Sequence, residues 1–395
     1  MNILIYLPDI NQEWGGVRQY AIGLLDLIAN DNANQFYIYH NLFDKEILRA
    51  IEDNSRFRLV KDSDVDIRKP YKIKKYGIKI FNKIASKFNL RTINQKTLID
   101  LLCNEYKIDI IHCPYQFLPD IKGVKLITTL HDVQEIHFPE NFTAEERAWR
   151  ANHYLDFLKR ADIVIVSYTH VRDDLIKYFN IPKEKIKVLL LPMHNLWFSK
   201  FLNSKVYELD KYSLPSKYLL YPANTWKHKN HIRLAEAVAR VKDLYKIEIN
   251  IVCTGHLNDN FEKIEERVLS LGIEKQIIFT NIVTEYELYS FYQTCCGVVI
   301  PTTYEAGSFP LYESILLDKQ VICSNVTSLP ETIGSNEFTF NPFDVEDMSE
   351  KILALWIDDD FRSKNTKQIR KEADNIKNND ALPIINEIYK ILITS

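Results

Sequence analysis

Tyr304-Glu305-Ala306-Gly307-Ser308-Phe309-Pro310-Leu311-Tyr312-Glu313 stands where the chain changes its periodicity. Ahead of it, Val298-Val299-Ile300-Pro301-Thr302 is a short apolar, β-rich run that reads as a buried strand. Behind it, residues 310–317 read as a helix, with Pro310 suited to a first helical position and Glu313 near the start. Two carboxylates eight residues apart therefore flank a strand-to-helix turn, and Gly307 lets a ligand approach its backbone closely. Free N–H groups at a helix N-terminus make a seat for phosphate. A polyol held by carboxylates beside a phosphate held by amides describes a nucleotide-sugar site. Spacing alone equally allows Glu305 as a surface loop residue and Glu313 as a complement to the helix dipole.

Moving outward, the same alternation fills the chain. In the first half, β-rich apolar runs at 2–7, 35–40, 108–113, 125–130, 163–167 and 186–191 alternate with amphipathic stretches, among them 17–30, 93–105, 143–159 and 169–179. In the second half, strands are expected at 217–222, 247–253, 276–280, 297–302, 320–324 and 337–341. Helices are expected there at 230–245, 259–271, 284–294, 310–317 and 346–357, with a terminal one at 380–393. This rhythm predicts an α/β fold of two Rossmann-like, doubly wound parallel-sheet domains, whose ligands bind beyond the carboxyl ends of the strands. The domains are placed at 1–197 and 198–395, with a linker near 195–214.

Bulk properties fit that picture. A chain of 395 residues is long for one core. With 46% hydrophobic residues, 26% charged residues and a net charge of −3, it is an ordinary globular chain and not a nucleic-acid binder. Six cysteines lack C-x-x-C spacing and mostly lie in or beside apolar runs, which suits buried thiols in a reducing compartment. The opening Met1-Asn2-Ile3-Leu4-Ile5-Tyr6-Leu7-Pro8 reads as a strand rather than a signal peptide, and no run is long enough to span a bilayer. The expected location is the cytoplasm, or the cytoplasmic face of a membrane.

Other stretches carry weaker signals. Gly15-Gly16 precedes a helix and permits close approach of an anion, but no G-x-G-x-x-G is present. In Ala223-Asn224-Thr225-Trp226-Lys227-His228-Lys229-Asn230-His231, a lysine at a strand-to-helix junction can neutralise a pyrophosphate, while Lys227 reads as solvated. His228 and His231 read as cap and packing residues. His131, ending the strand of Thr128-Thr129-Leu130, faces the expected cleft, although such a histidine is more often a cap. Val283 and Leu288, after the strand at 276–280, are placed near the nucleotide base. Between 66 and 96, ten basic residues interleave with aromatic and aliphatic ones, which fits either an anionic membrane surface or a solvated amphipathic helix. Asp64-Val65-Asp66 lacks the strand-end context of a metal site, and Asp358-Asp359-Asp360 reads as a helix cap.

Glu305–Glu313 resembles the E-x7-E signature of the large retaining glycosyltransferase family numbered four, commonly written E-G-F-G-x-P-x-x-E. Both glutamates and the proline stand in place, with the small residues shifted. The resemblance implies a GT-B architecture, in which a terminal helix often crosses back; the membership of 380–395 is open. It implies that Glu305 lies against the donor sugar and Glu313 binds the ribose, with the backbone of Gly307, Ser308, Phe309 and Pro310 on sugar and pyrophosphate. Gly15-Gly16 resembles the family's glycine loop near donor and acceptor, and His131 its first-domain histidine near the donor sugar. Lys229-Asn230 resembles the pair whose lysine grips the diphosphate. Ala223-Asn224 replaces the usual Gly-Arg, leaving Asn224 as a candidate second contact. The motif is similar to an aromatic-x-His-Lys-Asn-His subgroup, several of whose members build bacterial surface polysaccharides. The expectation is a retaining, metal-independent transfer of mannose or a related hexose from a nucleotide-diphosphate sugar to a lipid-linked or surface glycan, with no further cofactor. A nucleotide-sugar 2-epimerase and a non-catalytic partner subunit share that architecture.

Overall fold

The computed structural model describes residues 1–8, 15–40, 51, 54–61, 98–191, 197–202, 204–206 and 209–394. The basic stretch 66–96 and Asp64-Val65-Asp66 lie outside these residues.

Two parallel sheets carry the described structure. The first contains β1 (Asn2–Leu7), β2 (Gln35–His40), β3 (Phe57–Val60), β4 (Ile110–Cys113), β5 (Lys125–Thr129), β6 (Ile163–Val166) and β7 (Ile186–Val188), in the order β3-β2-β1-β4-β5-β6-β7. The second contains β8 (Leu219–Pro222), β9 (Ile251–Thr254), β10 (Ile277–Phe279), β11 (Gly297–Ile300), β12 (Val321–Ser324) and β13 (Thr339–Phe340), in the order β10-β9-β8-β11-β12-β13. The central strands β4, β6, β9, β11 and β12 are buried at every residue, because helices cover both faces. Each sheet reverses its winding once, between β1 and β4 and between β8 and β11. Such a reversal opens a crevice at the carboxyl ends of the two central strands.

Strand β3 and the helix Asp359–Lys377 were not expected from sequence. Helix 359–377 is strongly polar and buries a sparse stripe of Phe361, Asn365, Ile369, Ala373 and Ile376. Asp358 caps it, accepting from the amides of Asp360 and Phe361 at 2.9 and 3.0 Å. In the linker region, Phe198, Phe201 and Leu209 pack into the second core. The terminal helix Ala381–Thr394 returns to the first lobe, where Ala381, Ile385, Ile388, Tyr389 and Leu392 join its core. All six cysteines are free thiols, five of them buried. Among the described residues no helix is long and apolar enough to cross a membrane.

A buried polar contact inside an apolar core helps to pin the returning helix. Tyr389 Oη and His112 Nδ1 lie 2.9 Å apart at the end of β4, both fully buried. Removing the hydroxyl would strand an imidazole nitrogen away from water. Tyr389→Phe is expected to destabilise the protein by about 1–3 kcal/mol, read as a lower urea midpoint. An unchanged midpoint would show that this contact does not hold the helix.

Candidate active site in the crevice between the lobes

Strands β8 and β11 are neighbours, so the loops leaving their carboxyl ends must meet. The carbonyl of His228 locks them together. It accepts from the Thr303 amide at 2.8 Å, from Thr302 Oγ1 at 3.0 Å and from Thr303 Oγ1 at 3.2 Å. Asn230 completes the weld. It takes φ +63°, a left-handed conformation that asparagine tolerates, and its amide donates to the carbonyls of Pro301 and Pro342 at 2.9 and 2.8 Å. His231 packs against Tyr221 with ring centroids 4.7 Å apart and the rings tilted by 38°. Most of the His-Lys-Asn-His run is therefore structural.

Lys229 is the member that reaches out. Its Nζ lies 2.5 Å from Glu305 Oε1, in a pair whose side chains are only 18% and 12% exposed. Glu305 is fixed from behind: its amide donates to Thr327 Oγ1 at 3.2 Å, and its carbonyl accepts from Ser328 Oγ at 3.2 Å. Eight residues on, Glu313 is buried and accepts from Tyr292 Oη at 2.6 Å. The helix runs Phe309–Leu316, one residue earlier than expected at each end. Glu313 thus lies beyond its first turn, where the dipole explains little. Pro310 falls at the second position and has no N–H, so it cannot be a phosphate donor. The amides contributed by that stretch are those of Gly307, Ser308 and Phe309. Ser308 caps the helix without a side-chain bond, and its buried Oγ has no partner among the described residues.

The first lobe closes over this loop. A cavity of about 240 Å³ lies between the lobes, lined by Gly16, Val17, Tyr20, His131, Asp132 and Ser167 on one side. Ala306, Gly307, Phe309 and Tyr312 line the other, with Tyr168. Gly15 and Gly16 open the helix Gly15–Ile28, and a Cβ on Gly16 would come within 3.4 Å of the Phe309 ring. A Cβ on Gly307 would meet the Tyr168 ring at 3.0 Å, which explains the glycine there. His131 Nε2 lies 3.1 Å from the Pro114 carbonyl. A carbonyl only accepts, so Nε2 carries the proton and Nδ1 is left as the acceptor. Burial lowers the pKa of His131, against the pull of that carbonyl and of Asp132, and favours a neutral ring.

Other expected site residues stand apart from the cavity. Asn224 is exposed and its Oδ1 accepts from the His256 amide at 2.8 Å, tying the loops after β8 and β9 together. Val283 and Leu288 are half-buried against the core of the second lobe and do not line the cavity. Lys227 is exposed.

Sequence reading passed over three tyrosines that join the lobes. Tyr168 Oη and Tyr312 Oη are 2.7 Å apart, and the Val133 amide donates to Tyr304 Oη at 3.4 Å. Tyr304 sits against the rings of His137 and Phe138, with centroids 5.6 and 5.9 Å away. Two of the three stand within the stretch quoted first, and Tyr168 follows β6 at the expected crevice. Gly255 was missed as well. It follows β9 at φ +119°, and a Cβ there would strike the Ala223–Asn224 backbone at 2.8 Å.

Residues 210–373 match the model of Glycosyl transferases group 1, and residues 62–190 that of Glycosyltransferase Family 4. The chain is a glycosyltransferase of GT-B fold. It is 25% identical over 289 residues to the O-antigen chain mannosyltransferase B of Escherichia coli, covering 73% of this chain and 76% of that one. To the serotype-specific mannosyltransferase WbdA of Escherichia coli it is 25% identical over 243 residues, 60% of this chain but only 30% of that one. The HepE protein of Anabaena, crystallised with UDP and glucose, superposes with a TM-score of 0.64 over the whole of both chains at 15% identity.

The transferase holds several histidines neutral by burial. His231 and His112 are pushed down to about 3, and His228 and His170 to about 4, from an ordinary 6.5. The unfolded chain therefore binds more protons below pH 6.5. The stability these rings contribute is full above that value and is lost as pH falls toward 4. His231→Phe is expected to lose less stability between pH 6.5 and 4.5 than the parent, measured by urea unfolding at each pH. Equal losses would place the acid sensitivity elsewhere.

Proposed function

We propose that this glycosyltransferase moves a hexose, mannose or a close relative, from a nucleotide-diphosphate sugar to a glycan or lipid-linked saccharide, with retention of configuration and without a metal. The observation that carries this reading is the Lys229–Glu305 pair, half-enclosed at the switch point of the second sheet and next in chain to the cavity-lining residues 306 and 307. A cation and an anion that satisfy each other at this site are poised to exchange partners when a charged ligand arrives. The diphosphate takes the Lys229 ammonium, and the released Glu305 carboxylate turns to the sugar hydroxyls. Amides of Gly307, Ser308 and Phe309 add fixed dipoles to the phosphate side, and Glu313, oriented by Tyr292, meets the ribose hydroxyls.

The chemistry follows from that arrangement. As the bond between the anomeric carbon and the phosphate oxygen breaks, negative charge grows on the diphosphate and is met by the Lys229 ammonium and the amides. The acceptor hydroxyl attacks from the same face, and its proton passes to the departing phosphate oxygen. Glu305 stabilises the oxocarbenium-like carbon. Neutral His131 offers Nδ1 to a sugar or acceptor hydroxyl, and the closed tyrosine contacts keep water out. The polysaccharide assignment leans on the O-antigen mannosyltransferases among the relatives. The basic stretch 66–96 is read as the contact with an anionic membrane on the cytoplasmic side.

A panel of GDP-mannose, UDP-glucose, UDP-galactose and UDP-N-acetylglucosamine tests the reading by thermal shift and product analysis. One donor is expected to raise the melting temperature and to give a glycoside with retained configuration. Glu305→Ala should lower kcat about 100-fold or more with nucleotide affinity retained, and Lys229→Ala should lower kcat similarly. Glu313→Ala should chiefly weaken nucleotide binding, about tenfold. Negligible effects from all three variants would contradict the assignment. Release of free sugar and nucleotide without any acceptor would favour the epimerase.

A further inference from the structure

The first lobe has a switch point of its own, between β1 and β4, and rings gather along its carboxyl edge. Tyr39 and Tyr6 are the last residues but one of β2 and β1, and Phe117 lies in the loop after β4. Tyr39 and Tyr6 stack at 5.1 Å and 9°, and Tyr6 and Phe117 at 5.9 Å and 14°. From Phe117 the row continues to His153 at 6.1 Å and 33°, and then to Trp149 at 4.6 Å and 18°. The row ends there. Trp149 is 62% exposed although one face of its indole lies on His153, so the opposite face is turned to solvent.

Two contacts tie this row to the cavity. Arg150, next to Trp149, reaches Asp132 of the cavity wall at 3.9 Å and Glu135 at 3.1 Å. The loop carrying Phe117 begins at Pro114, whose carbonyl holds the cavity's His131 at 3.1 Å. The indole platform and the transfer cavity therefore share their supports.

We propose that the open face of Trp149 is a carbohydrate subsite, stacking a sugar ring of the acceptor one or more units away from the hydroxyl that is glycosylated. This rests on the reading above that the acceptor is a saccharide. The axial C–H groups of a pyranose carry partial positive charge and fit the negative face of an indole. A ring already backed by His153 and held parallel by its neighbours loses little freedom when a sugar lands on it. The surroundings speak for a glycan and against a lipid surface. Within one turn of Trp149 the exposed residues are Glu145, Glu146, Arg147, Ala148, Ala151 and Asn152, charged and amide groups with two alanines and no lysine, and the exposed Leu155 and Lys159 lie further along the helix. A transferase with such a platform would bind an oligosaccharide better than the monosaccharide, because only the longer chain spans cavity and indole.

The test uses the full chain and linear manno-, gluco- and galacto-oligosaccharides of one to four units, with binding followed by tryptophan fluorescence and by ligand-observed NMR. Affinity in one series is expected to rise about tenfold from monosaccharide to trisaccharide. Trp149→Ala should abolish that gain, and Trp149→Phe should keep most of it. Neither variant should alter the thermal shift given by the donor panel. Length-independent binding in every series, or a full length gain in Trp149→Ala, would overturn the proposal. A Trp149-dependent length gain in a protein that responds to no nucleotide sugar would leave the subsite standing and remove the transfer reading instead.

Discussion

Neighbouring parallel strands deliver their outgoing loops to one place, and in the second lobe that constraint fixes the chemistry. Because β11 pairs directly with β8, the loop bearing Lys229 and the loop bearing Glu305 cannot avoid each other. The carbonyl of His228 and the side-chain amide of Asn230 turn that proximity into a rigid unit by satisfying backbone groups that a buried loop would otherwise leave bare. Rigidity matters because a cation aimed at a leaving phosphate lowers a barrier only if it need not reorganise during the reaction. The same loop then faces the first lobe, where Tyr168, Tyr304 and Tyr312 bind it across the crevice. Position of the carboxylate and closure of the lobes are thus coupled through adjacent residues.

This division of labour changes how the sequence motifs are understood. In the run from His228 to His231, backbone welding, left-handed geometry and ring packing occupy three residues, and one remains for a ligand. In Glu305–Glu313, the two carboxylates differ in kind. Glu305 is paired with a cation, whereas Glu313 is buried behind a tyrosine hydroxyl, which suits an orienting contact better than a reacting one. Asn224, which sequence reading offered as a second phosphate contact, is engaged in tying two loops together.

Much of the architecture was legible because strands covered on both faces appear as continuous apolar runs. Their centres were found everywhere except at β3, whose four residues, Phe57-Arg58-Leu59-Val60, form an edge strand with a polar break. Some ends were drawn too long, as at 108–113 against Ile110–Cys113, since the buried, apolar Ile108 stands just ahead of the strand. The helix Asp359–Lys377 escaped notice because its buried stripe is sparse within a polar segment, and only its cap was seen. Lys229 and Glu305 could each be named from motifs, but their pairing could not, since it depends on strand order across 76 residues of chain. The tyrosines between the lobes were illegible for a similar reason: a partner from another lobe leaves no periodic trace.

Lys229 and Glu305, paired with each other here, are the two groups that an activated sugar would divide between its diphosphate and its hydroxyls. A crystal structure with an unreactive nucleotide-diphosphate sugar analogue bound tests it most directly. The account predicts that Lys229 Nζ leaves Glu305 for a diphosphate oxygen, with Glu305 against a sugar hydroxyl and the sugar within the cavity lined by His131 and Gly307. An analogue bound elsewhere, with the pair intact, would contradict it.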